Sequence, residues 1–69
     1  MKVSARNLLK GKVVKIEPGA VNSVVTLQLE GGQEIISVIT CSSVERLGLE
    51  EGTEALAMIK ASNVMIAVP

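Results

Sequence analysis

The spacing of apolar positions changes period once along the chain, and that change sets out the elements. Between residues 11 and 17, Val14 and Ile16 alternate with Lys15 and Glu17, the period-two pattern of a half-buried strand. Pro18-Gly19 ends it with turn chemistry. The alternation is clearest in residues 21–30, where Val25, Leu27 and Leu29 share one face and Val24, Thr26 and Gln28 the other. Gly31-Gly32 predicts a tight hairpin turn that tolerates positive φ, with residues 34–40 as the partner strand. That partner is apolar on both faces, the pattern of a strand with one face on the core and the other on a second subunit.

After Cys41 the period lengthens. Ser42 with Glu45 three residues on forms a capping-box pattern, and Val44 and Leu47 fall on one side of a short helix. Gly48 is its expected stop. A charged turn, Glu50-Glu51-Gly52, leads to a fourth strand at residues 55–59. A fifth is expected at residues 64–68, with Lys60-Ala61-Ser62-Asn63 between the two. Five short strands with one short helix between strands 3 and 4 is the order of an OB-like barrel, so the chain is expected to be all-β and a single domain over residues 1–69. Closure is attractive because it removes sheet edges that a short apolar chain cannot safely expose. Crossover helices of the length a parallel sheet needs are absent, as are internal repeats and low-complexity segments.

Composition adds a partner. Sixty-nine residues make a thin core, and the chain is 48% hydrophobic without one Phe, Tyr or Trp, so Val, Ile, Leu and Met carry all the packing. So apolar a chain of this size is expected to bury part of its surface between identical subunits. Gly and charged residues interrupt every apolar run, which leaves no membrane span, and the opening residues have no secretory h-region. A single Cys41 excludes an internal disulfide and suits a reducing, cytoplasmic compartment. Formal charge is zero but uneven: Lys2, Arg6, Lys10, Lys12 and Lys15 lie early, and Glu45, Glu50, Glu51 and Glu54 late. A neutral total without aromatic residues argues against nucleic-acid binding, where a basic groove and base-stacking platforms are needed.

Little in the chain can do covalent chemistry. It has no His and no Asp, Cys41 lacks a His to act as base, and one Cys cannot build a zinc site. No enzyme, no catalytic residue and no metal-ligand set are therefore expected. What the chain offers is hydrogen-bond donors near its two ends. Ser4-Ala5-Arg6-Asn7 combines a hydroxyl with a five-donor guanidinium, and Lys60-Ala61-Ser62-Asn63 combines an ammonium with a second hydroxyl. In extended chain Ser4 and Arg6 share one side, as do Lys60 and Ser62. The alanines let backbone N–H groups of Ala5, Ala61 and Ser62 approach a ligand. Such a donor set suits a tetrahedral dianion, which needs converging donors and some positive charge but no nucleophile. Each segment alone also reads as a solvated tail or a polar turn.

Taken together, the two segments resemble those of the molbindins, the small molybdate-binding proteins whose domain also occurs in molybdate transporters and regulators. The resemblance runs through Ser4-Ala5-Arg6-Asn7, Leu9-Lys10-Gly11-Lys12-Val13, Gly19-Ala20-Val21-Asn22, Ile39-Thr40, Ser43-Val44-Glu45, Leu47-Gly48-Leu49, Gly52 and Ile59-Lys60-Ala61-Ser62. It implies an OB-like fold assembled as a homohexamer, a trimer of dimers, that holds molybdate or tungstate between subunits for storage or homeostasis. One class of site would take Ser4, Ala5 and Arg6 from one chain, with Thr40, Lys60, Ala61 and Ser62 from its neighbour. A second would use backbone donors around Gly19, Ala20, Val21 and Asn22. Leu8 departs from the glutamine common at that position of the family. An alternative is a structural or regulatory OB-fold oligomerisation module with no functional anion site.

Overall fold

Strand β1, Asn7–Pro18, organises the fold in the computed structural model, which describes residues 1–69. It is long enough to pair twice. Asn7 through Lys12 pair with β4, Glu54–Ile59, and Gly11 through Pro18 with β2, Asn22–Leu29. Strand β3, Glu34–Thr40, completes a four-stranded antiparallel sheet in the order β3-β2-β1-β4. The sheet curls into a half-barrel, and β1 makes the bend. At Gly11, where β1 meets both neighbours, a Cβ would stand 2.9 Å from the Gln28 carbonyl oxygen, so only glycine admits so close an approach. Two residues on, the register against β2 shifts between Val13 and Lys15, a bulge that adds local twist.

The concave face holds the core. Val13, Val25, Leu27 and Ala57 are buried, and Ile16, Ile35, Ile39, Val44, Leu49 and Ala55 pack around them. Val25 and Leu27, which share a face of β2 as expected, both point inward, while Thr26 on the opposite face is buried as well. Only six of the 69 residues are buried, which is little interior for a chain 48% hydrophobic.

Helix α1, Cys41–Leu47, lies between β3 and β4. Its N-cap is Thr40, not the Ser42 expected from the Ser42–Glu45 spacing. Thr40 is extended (φ −69°, ψ 151°), and its hydroxyl accepts the Ser43 N–H at 3.0 Å. Ser42 already lies in the first turn, where it cannot serve as cap. Thr40→Ala is expected to cost about 1 kcal/mol. Urea unfolding would read this as an earlier midpoint at unchanged slope, and an unmoved midpoint would show that the cap adds no stability. At the other end Gly48 takes the left-handed conformation (φ 65°), and the N–H of Leu49 closes on the Val44 carbonyl at 3.0 Å. Gly31 and Gly32 have the positive φ expected (91° and 93°), although the connection they serve covers four residues, 30–33.

The fifth strand expected at residues 64–68 is absent, and the barrel is open. After β4 the chain makes one 3-10 turn, Ala61–Asn63, and residues 65–69 form no backbone hydrogen bond. The turn carries the chain off the β4 ladder, so the alternation of Val64, Ile66 and Val68 meets no strand. Periodicity reports which side chains need cover, not what covers them.

Candidate functional site

The β1–β4 ladder ends at the pair Asn7–Ile59, and the two polar segments leave the sheet side by side from that end. Between them lies an open cavity of about 740 Å³, lined by Val3, Ser4, Ala5, Arg6, Met58, Lys60, Ala61 and Ser62. Six of the residues singled out from the sequence therefore meet in one place, within a single chain. A split of these six across two chains, as the resemblance implies, is not needed to bring the segments together.

The donors in this cavity are free. Neither Arg6 nor Lys60 forms an ion pair; the chain has one, between Lys15 and Glu17 at 2.6 Å, where the carboxylate raises the Lys15 ammonium above its usual pKa. The hydroxyls of Ser4 and Ser62 have no partner in the chain, and the backbone N–H groups of Ala5, Arg6, Ala61 and Ser62 donate to no carbonyl. No carboxylate lines the cavity. Two unpaired positive charges, two hydroxyls and unengaged N–H groups make a set complementary to an oxyanion. Ala5 is half-buried, while Ser4, Arg6, Lys60, Ala61 and Ser62 are exposed, so the cavity faces solvent on one side. Val3 and Met58 give it an apolar wall that sequence reading missed. Met58 carries only a parity signal, as its side chain alternates with the inward Ala57 on β4.

Thr40 is not part of this cavity. It pairs with Asn22, and its hydroxyl caps α1 while contacting the hydroxyls of Ser42 and Ser43. The structure thus places Thr40 beside the other predicted group, Gly19 to Asn22, in the turn joining β1 and β2. There the Gly19 N–H is taken by the Asn22 carbonyl at 2.8 Å, and the Val21 carbonyl accepts the Cys41 N–H at 2.8 Å. The N–H groups of Ala20 and Val21 donate to nothing within the chain. The Cys41 thiol lies 3.1 Å from the hydroxyl of the buried Ser23 and donates to the Gly19 carbonyl at 3.4 Å, tying the start of α1 to the turn. Glu45, Glu50 and Glu51 border a second cavity, about 410 Å³, at this end. The molecule is therefore electrostatically polar, with cations around the first cavity and carboxylates around the second. No group of His, Cys or Glu side chains is placed to hold a metal ion, and no helix is long and apolar enough to cross a membrane.

The TOBE domain family model matches residues 3–66. The chain is 52% identical over 68 residues to a probable molybdenum-pterin-binding protein of Haemophilus influenzae, covering 99% of each chain. It is 50% identical over 66 residues to molybdenum-pterin-binding protein 3 of Clostridium pasteurianum, covering 96% of this chain and 97% of that one. Among solved structures, apo MopII of Clostridium pasteurianum superposes with a TM-score of 0.92 at 48% identity, over 97% of this chain and all of that one. The cytoplasmic molybdate-binding protein ModG, with molybdate bound, gives a TM-score of 0.96 at 55% identity, where the whole of this chain corresponds to 49% of the longer one.

Proposed function

The chain belongs to the TOBE domain family, and from that premise we propose that it binds molybdate, with tungstate as a second ligand, for intracellular storage or homeostasis of molybdenum. The observation that carries this reading is the convergence of Arg6, Lys60, Ser4 and Ser62 on one cavity without a carboxylate. Ala5, Ala61 and Ser62 supply backbone N–H donors. The protein acts as a cytoplasmic binder that needs neither nucleic acid nor membrane, and it catalyses nothing.

In this reading the working form is a homohexamer built as a trimer of dimers. The cavity is open on one side, and a second chain closing it would remove water from the anion and strengthen every bond to it. Thr40 reaches the cavity from that second chain. The unpaired tail, residues 64–68, gains a sheet partner only in the assembly, which supplies the missing fifth strand. A second class of site uses the free N–H groups of Ala20 and Val21, in the turn with Gly19 and Asn22.

Anion that binds only the assembled form stabilises it by mass action, about 2.7 kcal/mol at a free concentration a hundredfold above Kd. The melting temperature is therefore expected to rise by several degrees with molybdate or tungstate and to stay within a degree at equal sulfate or phosphate. Native mass spectrometry of the same samples would count subunits and retained anions. No shift and no retained molybdate would refute the assignment.

A further inference from the structure

The walls of the cavity are almost untethered. Residues 1–6 make no hydrogen bond and no ion pair with the rest of the chain, and the 3-10 turn at Ala61–Asn63 bonds only to its flanking residues Lys60 and Val64. Arg6 is the residue before Asn7, and Lys60 the residue after Ile59, so both walls spring from the last rung of the β1–β4 ladder. One side chain crosses that rung. The half-buried Asn7 amide donates from Nδ2 to the Ile59 carbonyl oxygen at 3.2 Å.

That carbonyl and the Lys60 N–H belong to one planar peptide unit. Holding the oxygen fixes the plane of the unit and with it the direction in which Lys60, Ala61 and Ser62 depart. The asparagine's own backbone carries the Arg6–Asn7 peptide, so the same contact fixes the two walls relative to each other. We propose that Asn7 is a positioning residue for the anion cavity, setting the spacing of the Arg6 and Lys60 donors through its bond to Ile59. The inference rests on the reading of the cavity as a molybdate site. Donors aimed in advance bind more tightly because less freedom is lost on binding.

Asn7→Leu keeps the size and removes the donor. Molybdate titration by calorimetry is expected to show Kd rising about tenfold, while the anion-free melting temperature falls by only the few degrees that about 1 kcal/mol represents in a chain of this size. In ¹⁵N relaxation of the anion-free protein, the amides of Ala5, Arg6, Lys60 and Ala61 lose order and those of β2 and β3 do not. Asn7→His places an Nδ1–H near the position of the amide nitrogen and, at about pH 8 where the ring is neutral, regains most of the affinity. Wild-type protein that fails to bind molybdate refutes the site itself. Wild-type binding with an unchanged Kd in Asn7→Leu overturns the positioning role alone. So does a loss shared by both variants in parallel with melting temperature, which assigns Asn7 to folding.

Discussion

Alanine in place of Arg6 is expected to weaken molybdate binding by on the order of a hundredfold. The guanidinium is the largest donor set in the cavity, five N–H groups in a fixed fork, and it has no carboxylate partner to be drawn from. A charge-assisted hydrogen bond contributes about 1.5–3 kcal/mol, and a fork engages an oxyanion through two. Water refills part of an open site, which brings the loss to roughly two factors of ten at about 1.4 kcal/mol each. Arg6→Lys keeps the charge without the fork and should fall about midway. Lys60→Ala, which removes a single-point cation, should cost about tenfold. Titration calorimetry at two salt concentrations checks all three, since losing a cation also flattens the salt dependence. An Arg6→Ala protein within twofold of wild type would remove Arg6 from the site.

How much of this was legible in the sequence divides along a physical line. Local patterns were readable because their causes are local. The inward face of β2 follows from alternation, the span of β3 from its apolar run, and the stop at Gly48 from the left-handed conformation that glycine adopts freely. The gathering of residues 3–6 with 60–62 was legible only as shared chemistry, because the pairing that unites them joins Asn7 to Ile59, far apart in the chain. Ser42 looked like a cap because the spacing to Glu45 is right. Thr40 takes the role because β3 ends there in extended backbone, a fact about strand length that a four-residue motif does not hold. The early start of β1 was hidden because Leu8 and Leu9 are adjacent, lie on opposite faces and are both exposed, so neighbouring leucines mask the alternation. Residues 64–68 show the limit most clearly, since they have a strand's pattern and no strand to join.

That unjoined segment carries the second large expectation: removing residues 64–69 should dissociate the proposed hexamer. Met65, Ile66 and Val68 are 92%, 85% and 86% exposed, and the outer face of edge strand β3 shows Ile36 and Val38 at 61% and 64%. A chain so apolar does not leave such groups in water by preference. Full burial of each aliphatic side chain contributes about 1.5–3 kcal/mol. Three per chain therefore offer roughly 5 kcal/mol or more, about three orders of magnitude in a dissociation constant. The fold of the single chain should survive, because the segment's one hydrogen bond is from the Val64 N–H back to the Ala61 carbonyl and no core residue comes from it. Ultracentrifugation at micromolar concentration should then find a smaller species with a retained β-sheet circular dichroism spectrum. Ile66→Asp should act in the same direction through one unburiable charge. A shortened chain that keeps the wild-type mass would place the subunit contact elsewhere on the molecule. The same preparation also tests the cavity: a dissociated chain should bind molybdate weakly, because its open side admits water to Arg6 and Lys60. Wild-type affinity in a dissociated chain would instead mean that the six residues gathered in one subunit form the whole site.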